Sequence, residues 1–478
     1  MFDLQIEYKS EDCLFLHINV PAEIKPDERL AVLIYIHGGA FMAGTSTDIY
    51  SGPDPLIEQN IIYATISYRL GMFGFLNLDS PEYSGNMGLK DQQLALKWIY
   101  DNIEYFSGDN KRITIVGNSA GSVSVQLHML SEESRKYFRN GILSSGVIDN
   151  YWSFSKHSNH LHLAYEMAKQ LDQPRDSFDD LVDFLEEVPA NEISAYALSR
   201  RGLLEKRTLM LDFTPTIERE DAIQPFMIES VDKLYDKPDI KVDAMFGVCS
   251  LEFLFFYDNE GRTNLKDFDE NFNIDLPFKG FNLSFDSKEY QKLAKQIRQF
   301  YFGESPIDET TLVQYLNLFS DINFTYAIDK AAKRHANKTS SKVYYYRFAA
   351  DTTLSLTKTR AKGDAKKIPA ATHAEDSFHF ASVRPAKVLY GILRETPNDK
   401  QTQITIKTIE NICKLFSNFV KWGNPTHNDD PIAGFLPIQG DTINYINISN
   451  DGLKLGVSPN AKTNEFWANI DRLVKQSS

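Results

Sequence analysis

The stretch Arg112-Ile-Thr-Ile-Val-Gly-Asn-Ser-Ala-Gly121 decides the fold of this 478-residue chain. An apolar strand leads into the pattern Gly-x-Ser-x-Gly at 117–121, and residues 122–130 can form a helix behind it. Side chains two residues before and after Ser119 would collide with backbone in so tight a turn, so glycine suits both positions. The hydroxyl would project above the strand end, beside the free N–H groups of a helix N-terminus. The pattern predicts a nucleophilic serine, and a glycine-rich turn that binds phosphate or nothing is the alternative.

Other apolar runs predict a sheet that is covered on both faces, as in Leu30–Ile36. Strands and helices alternate along the chain, so the expected fold class is α/β, with a central, mostly parallel twisted sheet, helices on both faces and helical insertions. The predicted strands are 13–20 nearer the edge, 30–36, 61–67, 112–116, 242–249 and 343–348. The predicted helices are 88–105 (with Leu94, Ala95, Trp98 and Ile99 at helical spacing), 122–130, several across 160–204, 405–422 and 464–475.

The composition is that of a globular protein, with 42% hydrophobic and 24% charged residues. It excludes a disordered chain, a collagen-like chain and a coiled coil. No apolar run approaches the roughly 18 residues of a membrane span. The net charge of −14 repels phosphates, which disfavours nucleic acid and anionic membranes as partners. The length allows about three domains, but the spread of the motifs favours a single domain over 1–478.

The three cysteines, Cys13, Cys249 and Cys413, fit neither a zinc cluster nor a disulfide framework. The first ten residues, MFDLQIEYKS, have no basic region followed by an apolar one, so no signal peptide is predicted. The compartment therefore stays open. A cytoplasmic location is the default expectation, and an extracellular one fits if a leader precedes this segment.

A second motif, His37-Gly-Gly-Ala-Phe41, directly follows the predicted strand Leu30–Ile36. Acyl transfer needs N–H donors aimed at the oxyanion of a tetrahedral intermediate. In α/β-hydrolases a loop of the HGGG type supplies some of them, and the residue after the nucleophile supplies another. Because these donors are backbone groups, Ala40 can serve although its methyl narrows its φ/ψ freedom. An ordinary β-turn with paired glycines is the alternative.

A serine nucleophile needs a histidine base, and that base needs an acid to hold its tautomer. The α/β-hydrolase order is serine, then acid, then histidine. Spacing does not choose among 65 acids and ten histidines. Glu252 and His373 each follow a predicted strand, where strand C-termini would present them. A surface or core role stays open for either.

Several segments match, in chain order, the motifs of one known family. They are Glu11-Asp-Cys-Leu-Phe-Leu16, 37–41, 68–76, 85–92, Phe106-Ser-Gly108 with 113–121, Ser250-Leu-Glu252, His373-Ala-Glu-Asp376 and Gly423-Asn-Pro425. From about Glu11 to about Trp467 the chain resembles the type-B carboxylesterase/cholinesterase family of α/β-hydrolases. Within this family, the sequence as a whole most resembles the insect α-esterases.

This resemblance implies a serine carboxylic-ester hydrolase that acts on neutral carboxylesters through an acyl-enzyme. The implied triad is Ser119, Glu252 and His373, and the implied oxyanion donors are the N–H groups of Gly39, Ala40 and Ala120. The implied partner is a small-molecule ester, and no metal or cofactor is implied. The oligomeric state stays open. The alternative is a non-catalytic cholinesterase-like binding or adhesion protein, or an inactive truncated fragment.

The chain departs from the family pattern at its front end. The family's E-D-C-L motif normally follows several tens of residues that include a partner cysteine, so we expect a domain truncated at its N-terminus, with Cys13 lacking a disulfide partner. The resemblance also implies an ion pair between Glu11 and Arg69 that braces the sheet.

Three further positions bear on the site. Asn118 stands where the family often has an acid beside the serine. A neutral side chain there adds no negative electrostatic field that would attract a cationic alcohol group. This argues against choline esters as substrates. His37 is expected to help shape the oxyanion loop, and His379 is expected to be structural.

Overall fold

The computed structural model describes residues 10–47, 51–155, 159–199, 211–237, 240–257, 264–276, 283–355, 358, 363–381, 384–395, 399–426 and 432–477. Within these residues the chain forms one nine-stranded sheet in the order β1-β3-β2-β4-β5-β6-β7-β8-β9. The strands are β1 Leu16–Asn19, β2 Leu30–Ile36, β3 Ile62–Ile66, β4 Gly108–Asn118, β5 Asn140–Ser144, β6 Asp243–Cys249, β7 Val343–Phe348, β8 Asn444–Ser449 and β9 Gly452–Val457.

The outer pairs β1–β3 and β8–β9 are antiparallel, and every pairing between them is parallel. Parallel strands bring their carboxyl ends to one edge of a sheet. The residues that follow β2, β4, β5, β6 and β7 therefore meet at that edge, where open α/β sheets bind their ligands.

The helices lie between the strands. They are α1 Asp54–Ile57, α2 Gly71–Phe75, α3 Met87–Asn102, α4 Ala120–Leu130, α5 His160–Gln170, α6 Phe178–Glu187, α7 Ala190–Ser199, α8 Val231–Tyr235, α9 Leu265–Glu270, α10 Phe272–Asp275, α11 Lys288–Tyr301, α12 Leu312–Ser320, α13 Tyr326–Lys338, α14 Ser377–Phe380, α15 Arg384–Glu395, α16 Lys400–Trp422 and α17 Ala461–Ser477. Over the described ranges, none has the length and apolarity that a membrane crossing requires.

The sheet is covered on both faces, as its apolar strands predicted. All seven residues of β2 are buried, and they alternate between two apolar clusters, with Ile34 in one and Leu33 in the other. A third apolar cluster lies within the helical insertions, around Phe268 and Phe319. The expected α/β fold with helices on both faces is therefore confirmed.

One predicted strand is shorter than expected, and one predicted helix carries two of its spaced apolar residues on its exposed face. The edge strand occupies only Leu16–Asn19 of the predicted 13–20. In α3 the side chains of Leu94 and Trp98 are 65% and 42% exposed, whereas Leu96 and Ile99 are buried. Leu94 and Trp98 therefore lie on the outer face of α3. The polar residue Gln92 occupies part of the inner face.

The ion pair expected between Glu11 and Arg69 does not form. The Arg69 guanidinium instead binds both carboxylate oxygens of Asp91 in α3, with Nε–Oδ2 and Nη2–Oδ1 distances of 2.8 Å each. The backbone N–H of Arg69 donates to the same carboxylate at 3.1 Å. Glu11 is exposed. Three hydrogen bonds to one carboxylate that is only 7% exposed outcompete a solvated glutamate for this arginine.

Candidate active site

Ser119 lies in a strained turn between a buried strand and a buried helix. β4 ends at Asn118, α4 begins at Ala120, and Ser119 between them has φ 57° and ψ −123°. A Cβ on Gly117 would lie 2.2 Å from the Gly121 carbonyl. A Cβ on Gly121 would lie 2.1 Å from the carbonyl oxygen of Ile36. Both glycines thus meet the steric requirement predicted for this motif.

The loop after β2 packs directly against that turn. A Cβ on Gly38 would lie 2.5 Å from the Asn118 carbonyl oxygen and 3.1 Å from the Ser119 Cβ. The next two residues, Gly39 and Ala40, have φ of 117° and 58°. A left-handed alanine costs roughly 1–2 kcal/mol. The loop therefore keeps Ala40 in a conformation that its methyl group disfavours.

Three N–H groups beside the Ser119 turn lack acceptors. Within the described residues, the backbone N–H groups of Gly39, Ala40 and Ala120 donate no hydrogen bond to the protein. Orphaned N–H groups are rare in buried backbone, and Ala120 is fully buried. Unpaired donors next to a serine are the arrangement that stabilises an oxyanion.

His37 holds the shape of this loop. Its ring stacks on Tyr68 with a centroid distance of 4.4 Å, and its Nδ1–H donates to the Gly38 carbonyl at 2.8 Å. Burial lowers the pKa of His37 to about 4, so the ring is neutral near pH 7. A Cβ on Gly44, at φ 127°, would lie 2.1 Å from that Nδ1. The ring therefore packs against bare backbone on its Nδ1 side.

Glu252 and His373 form a buried hydrogen-bonded pair. Glu252 lies just beyond β6 and His373 lies beyond β7, and His373 Nδ1 is 2.7 Å from Glu252 Oε2. Oε1 of the same carboxylate accepts from the Ser145 hydroxyl at 2.6 Å and from the Cys249 N–H at 2.7 Å. Both oxygens of this buried carboxylate therefore accept hydrogen bonds. An Nδ1–H that donates to this carboxylate leaves Nε2 as the basic nitrogen.

Ser119 lies at the same sheet edge as this pair. Its N–H donates to the Ser144 carbonyl at 2.9 Å, and the adjacent Ser145 is the residue that binds Glu252. The Ser119 hydroxyl forms no hydrogen bond to any described residue, His373 included. The structure thus brings Glu252 and His373 together and leaves the Ser119 hydroxyl unbonded. Catalytic hydrogen bonds are often long in ligand-free enzymes and tighten when substrate binds.

A second polar network lies beneath the turn, and sequence reasoning missed it. The Ser144 and Tyr346 hydroxyls each donate to Asp376 Oδ2 at 2.6 Å, and Asn118 Nδ2 donates to Ser144 Oγ at 3.0 Å. Burial raises the pKa of Asp376. The network joins the Ser119 turn to the segment that carries His373. The serine pair that ends an apolar run at β5 was the available signal.

Aromatic side chains surround the His373 ring. Phe324, Phe256 and Phe255 have ring centroids 4.6, 5.3 and 5.7 Å from it, and His373 is 3% exposed. The Phe-Leu-Phe-Phe run at 253–256 adjoins Glu252 in the sequence and could have been noticed. Phe324 is distant in sequence and carried no local signal.

The second histidine of this segment, His379, has a structural role. His379 is fully buried between the Glu375 carbonyl and the Thr352 hydroxyl, at 2.8 and 2.9 Å, and burial lowers its pKa to about 4. This bears out its expected structural role.

All three cysteines are free thiols. Among the described residues, no cluster of histidine, cysteine and acidic side chains is placed to hold a metal ion.

Comparison with known proteins identifies the relatives of this chain. A sequence profile of the Carboxylesterase family matches residues 2–467. A carboxylic ester hydrolase from Bombus ignitus is 28% identical over 470 residues, which cover 96% of this chain and 80% of that protein. Esterase FE4 from Myzus persicae is 30% identical over 436 residues, which cover 90% of this chain and 73% of that protein.

Among solved structures, juvenile hormone esterase from Manduca sexta, with OTFP covalently attached, matches with a TM-score of 0.80. The match covers 98% of this chain and 84% of that chain at 24% identity, and it shows the fold alone. Because the family profile spans nearly the whole chain and the relatives align over most of their own length, this chain belongs to the carboxylesterase family.

Proposed function

We propose that this protein is a serine carboxylic-ester hydrolase in which Ser119 is the nucleophile, His373 the base and Glu252 the acid. The observation that carries the proposal is the buried Glu252–His373 hydrogen bond of 2.7 Å at the sheet edge where the strained Ser119 turn lies. The non-catalytic alternative is not favoured, because its relatives usually lack a triad member and this chain retains all three.

The reaction follows from these roles. His373 Nε2 takes the hydroxyl proton as Ser119 Oγ attacks the ester carbonyl, and Glu252 stabilises the imidazolium. The oxyanion is held by the unpaired N–H groups of Gly39, Ala40 and Ala120. Each such donor is worth about 2.7–4 kcal/mol in the barrier. The alcohol leaves with the proton, and water activated by His373 then releases the acid from the acyl-enzyme.

We infer that the substrates are neutral carboxylesters. The wall around His373 consists of uncharged aromatic rings, including Phe256 and Phe324. The side chain next to the nucleophile is Asn118, whose amide is already engaged with Ser144. The neutral amide adds no charge that would attract a cationic alcohol group.

A fluorophosphonate probe tests the nucleophile, because it reacts covalently with activated serines. We expect the purified protein to be labelled and to hydrolyse a p-nitrophenyl ester. Ser119→Ala should abolish labelling and lower kcat by about 10⁴-fold or more. Ser124→Ala, in the same helix, is the matched control and should keep both properties. Unchanged hydrolysis by Ser119→Ala would refute the proposal.

A further inference from the structure

The helix that spans residues 312–338 contains one wide turn. α12 runs into a π-helical turn, Asp321–Thr325, which continues as α13. The N–H of Tyr326 donates to the carbonyl of Asp321, five residues earlier. A π-turn inserts one extra residue into a helix, is rare, and occurs frequently at functional sites.

The side chain of Asn323 forms hydrogen bonds inside this turn. Its side chain is fully buried, and its Nδ2 donates to the Phe319 carbonyl at 2.7 Å. Its Oδ1 accepts from the Tyr151 hydroxyl at 2.5 Å. Because both ends of the amide are engaged, the turn is held by specific bonds.

The segment that follows β5, residues 145–152, also forms hydrogen bonds to the π-turn. We call this segment the clamp. The Asn323 carbonyl accepts from Asn150 Nδ2 at 2.7 Å and from Trp152 Nε1 at 2.8 Å. Asn150 Nδ2 also lies 3.3 Å from the Phe324 carbonyl. The same segment begins with Ser145, which donates to Glu252. One stretch of chain therefore holds both the acid and the π-turn.

The clamp sets where Phe324 points. Its ring lies 4.6 Å from the His373 ring and 5.7 Å from Phe256, which is itself 5.3 Å from His373. Each residue in a helix advances the side-chain direction by about 100°. Without the extra residue of the π-turn, the side chain at 324 would not keep this direction relative to both flanking helices.

We propose that the clamped π-turn makes Phe324 a positioning residue for His373; this rests on the esterase function proposed above. The Glu252 hydrogen bond holds the imidazole only at Nδ1, and a single bond leaves the ring free to swing. Phe324 and Phe256 pack side by side against the ring and limit this swing, so Nε2 stays where it can reach the Ser119 hydroxyl. Loss of Phe324 should slow proton transfer and leave ester binding nearly unchanged.

The test is kcat per active site, with sites counted by stoichiometric fluorophosphonate labelling. Phe324→Ala should lower kcat per labelled site about 10- to 100-fold, because small misplacements of a catalytic group have effects of this size. KM should stay within about threefold. Phe213→Ala is the matched control, because it truncates another fully buried phenylalanine, whose ring packs on His160. It should leave kcat per labelled site unchanged, since lost stability only removes sites.

If Phe324→Ala does not fold, Trp152→Phe provides a milder test of the same contact. Trp152→Phe retains an aromatic ring but removes the donor to the Asn323 carbonyl, and it should lower kcat per labelled site about 3- to 10-fold. Values within about twofold of wild type for the folded variants would overturn the positioning role. Absence of labelling in the wild-type protein would instead overturn the esterase function.

Discussion

At the level of single residues, the site depends on glycines that leave no room for a side chain. Gly38, Gly117 and Gly121 each face backbone atoms that a Cβ would approach to 2.5 Å or less. Backbone cannot rotate away as a side chain can, so these contacts are not relieved by repacking. This is why the Ser119 turn could be predicted from a short pattern.

Gly121→Ala should lower the free energy of unfolding by about 1–3 kcal/mol or more, as overpacking a buried site does. The added methyl would lie 2.1 Å from the Ile36 carbonyl oxygen, so β2 must separate from α4. Gly391→Ala in α15 is the control. Its Cβ meets nothing within 4 Å, and alanine there should stabilise the helix by about 0.5–1 kcal/mol. Urea unfolding measures both, and equal stabilities would contradict the steric account.

At the level of elements, the apolar strands were predictable and their polar partners were not. β2 and β7 occupy the predicted residues, because a short, mostly apolar run is typical of a strand that is covered on both faces. The exposure of Leu94 and Trp98 in α3 was not predicted, and Arg69 pairs with Asp91 instead of Glu11. Partner choice for a charged side chain depends on which element packs nearby, and local sequence does not encode that.

Asp91→Asn tests this correction. The variant loses the charge that the Arg69 fork binds, so the free energy of unfolding should fall by about 1–2 kcal/mol. Glu11→Gln is the matched control and should change it by less than about 0.5 kcal/mol, because Glu11 is exposed. Thermal and urea unfolding in low salt give both values. A larger loss for Glu11→Gln would restore the pairing that the family resemblance implied.

At the level of the whole molecule, buried acids link stability to pH. Burial raises the pKa of Glu375 from 4.5 to about 7, although its Oε2 accepts from the Thr372 N–H at 2.8 Å. The folded state therefore holds this proton until about pH 7, while the unfolded chain releases it near pH 4.5. The contribution of this group is fully present below pH 4.5 and is lost as the pH rises to about 7.

Glu375→Gln should remove this pH dependence. A neutral amide keeps the acceptor for Thr372, so the variant should gain stability over wild type as the pH rises from 4.5 to 7. The gain should be at most about 3 kcal/mol. Glu289→Gln, at an exposed position, is the control and should give a small, pH-independent offset. Unfolding free energies between pH 4.5 and 8 provide the measurement, and a constant Glu375→Gln difference would contradict it.

The sequence by itself determined six of the nine described strands, the Ser119 turn and the HGGA loop, because each is a local consequence of apolar runs and of glycine sterics, whereas β5, β8 and β9 were not predicted. The family resemblance named Glu252 and His373, whereas spacing among 65 acids did not choose between candidates. Only the tertiary structure decided that these two residues meet, that Ser145 binds Glu252, and that Phe324 packs on the imidazole. Such contacts join residues about 50 to 120 positions apart, and they exist only because the sheet order and one π-turn bring distant segments to a common edge.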